Sequence, residues 1–140
     1  MKTVSDIMVR DVLSVKNMDS VHTARMVIKD NSIRHLPVID NESGEFAGLL
    51  TQGSLLNFSF NMIEKFGISG LEKREQRTLV NEIMATDCVT VTPDADLLKV
   101  GEMFTDKKVS CLPVVENKQL KGIVTSVDFV KLAVELLRQA

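Results

Sequence analysis

Two stretches of this sequence place a hydroxyl and a second polar side chain where an apolar strand gives way to a helix. They are Gly122-Ile123-Val124-Thr125-Ser126-Val127-Asp128 and Gly48-Leu49-Leu50-Thr51-Gln52-Gly53-Ser54. Two chemistries follow from that spacing. In the first, Thr125 or Ser126 caps a helix and Asp128 sits favourably at its positive end. In the second, helix-start amides and a hydroxyl donate to phosphate or ribose oxygens while a carboxylate accepts from a diol. Spacing alone leaves both open. No catalytic constellation competes with them. The histidines are His22 and His35, and no nucleophile elbow, H-E-x-x-H, Walker A loop or G-x-G-x-x-G run is present. No catalytic residue is therefore assigned, and the chain is not read as an enzyme. Cys88 and Cys111 lack any C-x-x-C spacing, so neither a metal site nor a disulfide framework is expected, and a reducing cytoplasm is.

The elements that must position these residues occur twice. Val4-Ser5-Asp6-Ile7-Met8 matches Val80-Asn81-Glu82-Ile83-Met84 at an offset of 76 residues, which also carries Leu36-Pro37-Val38 onto Leu112-Pro113-Val114. At Gly48 onto Gly122 the offset is 74, the difference falling in Asn41–Glu45 against Asn117–Gln119, where a hairpin turn tolerates it. Each copy reads as a short strand (Val12–Val15; Cys88–Val91), a capped turn (Asp19 and Ser20; Pro93 and Asp94) and a helix. The helices carry apolar residues at helical spacing, Val21, Ala24, Val27 and Ile28 in one and Leu97, Val100, Met103 and Phe104 in the other. Two strands follow (Leu36–Ile39 and Phe46–Leu50; Leu112–Val115 and Leu120–Val124), then a second helix starting near Ser54 or Ser126. The fold class is α/β (α+β), two β-α-β-β-α repeats with pseudo-two-fold symmetry, with repeat 1 at 1–66, a connector at 67–79 and repeat 2 at 80–140. A unit of about 50 to 60 residues is marginal alone, so the two are expected to pack sheet to sheet.

Composition narrows the partners. A formal charge of −2 and only six aromatic residues, all Phe, argue against a nucleic-acid target held through phosphates or stacked bases. No apolar run is long enough to span a bilayer. Phe58, Phe60, Met62, Ile63 and Phe66 make the end of repeat 1 unusually apolar, which reads as a helix extension leading into the connector or as cover for a partner subunit. The basic residues Lys73, Arg74 and Arg77 fall on no apolar face, which disfavours a membrane-surface helix.

Ile33-Arg34-His35-Leu36-Pro37-Val38-Ile39-Asp40 with Gly48–Thr51, repeated as 109–116 with Gly122–Asp128, resembles a tandem cystathionine β-synthase (CBS) domain pair, or Bateman module, of the stand-alone type. Asp6-Ile7-Met8 and Glu82-Ile83-Met84 fit the start of the family's repeats. Each motif is short, and their order and duplication carry the resemblance over nearly the whole chain. The resemblance implies a regulatory module that binds an adenosine-containing ligand (AMP, ADP, ATP or S-adenosylmethionine) in clefts between the repeats, with no catalytic cofactor. Residue by residue, it puts Asp128 and Thr125 at the ribose. Asn81, Met84, Thr86, Val109 and Ser110 would surround the base, with Arg34 and His35 facing the phosphates. Arg34 also reads as a solvated edge charge, and His35 as a partly buried strand residue. The related cleft would use Asp6, Met8, Arg10, Ile33, Thr51 and Ser54 and would bind more weakly, because Ser54 stands where the family has an acidic residue.

The functional reading is thus a cytoplasmic ligand-sensing CBS pair that forms a homodimer and biases a partner protein whose identity is open. The alternative is a structural or interaction module with empty clefts. The dimer is expected on the apolar ends of the two closing helices, Phe58, Phe60, Met62 and Ile63 with Leu132, Val134, Leu136 and Leu137.

Overall fold

The computed structural model describes residues 2–106 and 109–140. The chain divides into two compact units, unit 1 comprising Met1–Val12 with Val89–Ala140, and unit 2 comprising Leu13–Cys88. These packing units do not follow the repeat boundaries. Each takes the opening segment of the other repeat, and the connector belongs to unit 2.

Unit 2 contains β1 (Val15–Lys16), α1 (Val21–Asn31), β2 (His35–Ile39), β3 (Phe46–Thr51), α2 (Gln52–Phe66) and α3 (Leu71–Arg77). Its sheet has the order β1-β2-β3, with β1 parallel to β2 and β2 antiparallel to β3. The expected first strand at Val12–Val15 shrinks to two residues, because only Val15 and Lys16 reach β2, opposite Val38 and Ile39. Ser20 caps α1 by accepting from the Thr23 amide at 3.1 Å, and Ser32 closes it in the left-handed conformation, φ 52°. Val21, Ala24 and Ile28 then face a core with Leu36, Val38, Leu50, Leu55, Phe58 and Val80. α2 starts two residues before Ser54, because Thr51 serves as its cap by accepting from the Ser54 amide at 3.0 Å.

Unit 1 contains α4 (Leu97–Asp106), β4 (Cys111–Glu116), β5 (Gln119–Thr125) and α5 (Ser126–Gln139). β4 and β5 pair antiparallel, and Val91 makes a single parallel bridge to Val114 where a strand at Cys88–Val91 was expected. Pro93 and Asp94 do not cap the helix. Asp94 is held by the Thr92 hydroxyl, and Asp96 accepts from the Lys99 amide at 3.1 Å instead. The β4–β5 turn runs through Asn117 and Lys118, both at positive φ, and is tighter than the Gly44-containing turn of unit 2. That difference accounts for the two-residue change in offset. Val4, Met8, Val100, Leu112, Val114 and Val124 form the core.

The exchanged segments lie against the strand in which each Gly-to-polar motif begins. Val9 pairs with Ile123 in unit 1 and Ala85 with Leu49 in unit 2, each through reciprocal backbone hydrogen bonds of 2.9 Å. A Cβ on Gly122 would lie 2.6 Å from the Val9 carbonyl oxygen, and one on Gly48 would lie 2.6 Å from that of Ala85. The glycine that opens each motif is therefore required by the crossing segment.

Candidate ligand-binding site

Asp128 is the third residue of α5 and only 7% exposed. Its Oδ2 accepts from the Thr125 amide at 2.8 Å and from the Thr125 hydroxyl at 3.4 Å. The carboxylate is thus held at the helix start by its own cap, where the dipole favours its charge, with Oδ1 left for another donor. Thr51 and Ser54 repeat the geometry in unit 2 with hydroxyls alone, their oxygens 3.0 Å apart. That pair can share one hydrogen bond with a ligand but cannot take two donors from a diol as a carboxylate does.

The expected residues group differently from their order in the sequence. Unit 1 holds Asp6, Met8, Arg10, Val109, Ser110, Thr125 and Asp128, and unit 2 holds Ile33, Arg34, His35, Thr51, Ser54, Asn81, Met84 and Thr86. Within unit 1, Met8 packs beside Gly122, just before Thr125. Within unit 2, Met84 packs beside Gly48, just before Thr51. Met8 and Arg10, expected with Ser54, thus share a unit with Asp128, and Met84 and Thr86, expected with Asp128, share one with Ser54. Strand pairing by the exchanged segments causes the regrouping.

Several side chains have local work. Asp6 accepts from the Lys2 and Thr3 amides at 2.8 and 3.1 Å, and those bonds, Thr3's foremost, hold its carboxyl below the usual carboxylate range. It caps a turn of 3-10 helix, as Glu82 does at the Leu79 amide in unit 2. Arg10 donates to the Ser5 carbonyl at 2.8 Å. The Asn81 amide group lies 3.9 Å from the Met18 sulfur. His35 is half-buried, and burial, reinforced by the neighbouring Arg34 charge, pushes its imidazole below the ordinary 6.5. Ser54 opens onto a cavity of about 430 Å³ shared with Asn57, Lys65, Thr78 and Glu82.

Arg34 lines a larger groove, of about 720 Å³, between α1 and α2, together with Arg25 and Lys29. Neither Arg25 nor Lys29 belongs to a motif that sequence reasoning singled out. On α1 they lie on either side of Ile28 along the chain. Arg25 pairs with Glu75 of α3, and its Nη2 donates to Ser59 of α2 at 2.5 Å. Glu75, 4% exposed, gave no signal in a helix otherwise rich in exposed charge. On the α2–α3 elbow Arg74 lies 3.6 Å over the Phe66 ring, so one of the connector's basic residues does meet an apolar side chain.

The CBS domain family model matches residues 4–61 and 80–135, and this chain belongs to that family. The uncharacterized protein MJ1404 of Methanocaldococcus jannaschii is 32% identical over 98% of this chain and 33% of its own length. A homoserine O-acetyltransferase of Methanohalobium evestigatum is 30% identical over 94% of this chain and 24% of its own length. The chain thus spans a third or less of these relatives. Among solved structures, AcuB from Vibrio cholerae is 30% identical, with a TM-score of 0.79, over 99% of this chain and 94% of that one. CBSX2 in complex with AMP is 25% identical, also with a TM-score of 0.79, over 97% of this chain and 98% of that one. Two α/β repeats in a CBS-pair arrangement are thereby established. Among the described residues no helix is long and apolar enough to cross a membrane.

Proposed function

We propose that this chain is a regulatory CBS pair that senses an adenine nucleotide or related adenosyl ligand, and that Asp128 is its ribose contact. The observation that carries the reading is the Asp128 carboxylate, buried at a helix start and held there by Thr125 with an oxygen to spare. The AMP complex of CBSX2, similar over nearly the whole chain, supports the ligand class. In unit 1, Val109, Ser110, Met8 and Arg10 accompany Asp128 as base-side and phosphate-side candidates. In unit 2, Ile33, Arg34, His35, Thr51, Asn81, Met84 and Thr86 accompany Ser54, and this group binds the weaker ligand or none. Binding biases a partner protein by favouring one conformation over another.

A thermal-shift screen with AMP, ADP, ATP and S-adenosylmethionine, followed by calorimetric titration, tests the proposal. The expected result is one tight site per chain, with Asp128→Ala losing roughly ten- to hundredfold in affinity, as for a charge-assisted bond of about 1.5–3 kcal/mol. Unchanged affinity in Asp128→Ala removes the assignment, and two equal tight sites would show that the Ser54 group is no weaker.

A second reading rests on a separate observation. Val127, Val130, Val134 and Leu137 of α5, which share one side of the helix, are 56, 60, 41 and 74% exposed. An apolar face of that kind suits a protein contact, and a homodimer on the closing helices is proposed together with ligand sensing.

A further inference from the structure

We propose that the groove between α4 and α5 is a docking surface for a short helix of a partner protein, one that presents two apolar residues four positions apart. The inference stands apart from the ligand reading and asks nothing of Asp128. The repeat shows what kind of element fits. In unit 2 a third helix, α3, packs on both α1 and α2. It is held by Leu71, packed against the core, and four residues on by Glu75, which pairs with Arg25 of α1. Arg25 reaches α2 as well, where it donates to Ser59. At the offsets of 76 and 74 residues, Arg25 and Ser59 correspond to Gly101 of α4 and Ala133 of α5. Unit 1 has no third α-helix among the described residues, so within it no counterpart of α3 covers that pair.

The groove beside Gly101 has a volume of about 500 Å³ and is walled by Leu97, Leu98, Phe104 and Phe129. Leu98 is 72% exposed. A Cβ on Gly101 would lie 3.1 Å from the Phe129 ring, which meets Phe104 edge to face at a centroid distance of 5.6 Å. Gly101 thus lets the aromatic wall close against α4. No cation lines the groove among the described residues, and Glu102 is its one charge. A second copy of α3 would therefore set Glu75 over Gly101 as an unpaired carboxylate, which is costly to bury. An apolar side chain in the place of Glu75 removes that cost, and a cation on the rim of the helix suits Glu102. The α5 residues Val127, Val130, Val134 and Leu137 do not line the groove, so its occupant does not compete with a homodimer built on them.

The experiment titrates the full chain with two peptides of residues 68–79, one native and one carrying Glu75→Leu, each held helical by a lactam bridge on its outward side. Amide chemical shifts follow the binding. The Glu75→Leu peptide is expected to bind once per chain, roughly tenfold tighter than the native peptide, with shifts centred on Leu98, Gly101 and Phe129. Leu98→Asp, at an exposed position, should weaken it roughly tenfold or more. The proposal is overturned by no saturable binding, by equal binding of the two peptides, by indifference to Leu98→Asp, or by shifts centred on Arg25 and Ser59. It is also overturned if Leu98→Asp turns a dimer into a monomer in light scattering, since a second copy of the chain would then fill the groove.

Discussion

Asp128 and Ser54 occupy the same place in the two repeats, and the functional asymmetry proposed above rests on the difference between a carboxylate and a hydroxyl there. Beneath both lies a demand on glycine. With only 2.6 Å between a Cβ on Gly122 and the Val9 carbonyl oxygen, the crossing segment must shift to admit alanine. Gly122→Ala is expected to lower the stability of unit 1 by about 1–3 kcal/mol, the range for overpacking, read as a lower urea midpoint at unchanged slope. His35 gives a second expectation at this scale. Its folded pKa lies below the ordinary 6.5, so the unfolded chain binds the proton more readily. The contribution of neutral His35 is present above about pH 6.5 and is lost as the pH falls through 6.5 toward the depressed value. Melting temperature should therefore decline below pH 6.5, and His35→Gln should flatten that part of the profile. A profile unchanged by His35→Gln would show that burial of this imidazole carries no such linkage. The glycines were legible as the head of each motif, but the reason for them was not, since nothing local announces that residues 8–9 cross over 122–123.

The helices show how an element can be clear in pattern and hidden in partnership. α1 and α4 follow their apolar spacing, and the expected core residues Val21, Ala24, Ile28 and Val100 are buried. α3 does not announce itself, because Leu71-Glu72-Lys73-Arg74-Glu75-Gln76-Arg77 holds one apolar residue and five charges. It docks through Leu71 and through the Glu75–Arg25 pair, whose side chains are 6 and 33% exposed. Glu75→Ala leaves the Arg25 guanidinium short of its partner. Since Arg25 keeps some contact with water, the expected cost is about 1–3 kcal/mol, below that of breaking a fully buried pair. Faster amide exchange confined to Leu71–Arg77 would mark the release of α3, and unchanged exchange there would show that Leu71 alone holds it.

For the molecule as a whole, the apolar residues left outside bear on assembly. Phe58, expected on an exposed face, is 7% exposed and belongs to the unit 2 core, with Met62 packed against it. Phe60, Val134, Leu136 and Leu137 remain outside, at 63, 41, 51 and 74%. Light scattering at micromolar concentration is expected to give about twice 15.6 kDa, and Leu136→Asp should shift the mass toward that of one chain. A monomeric wild type would remove the dimer while leaving the ligand site standing.

The sequence by itself determined the duplication, the fold class, the hairpins at Leu-Pro-Val and the start of α5 at Thr125–Ser126. These rest on periodicity, capping and turn chemistry, which act over a few residues and are repeated in both copies. Only the tertiary structure decided which opening segment joins which sheet, and so which of the candidate residues share a unit with Asp128 and which with Ser54. It also decided that Arg25, Lys29 and Arg34 share one groove and that Glu75 is buried. Those outcomes depend on contacts between residues as far apart as 25 and 75 or 9 and 123, where pairing of distant strands and burial of distant charges leave no periodic trace in the chain.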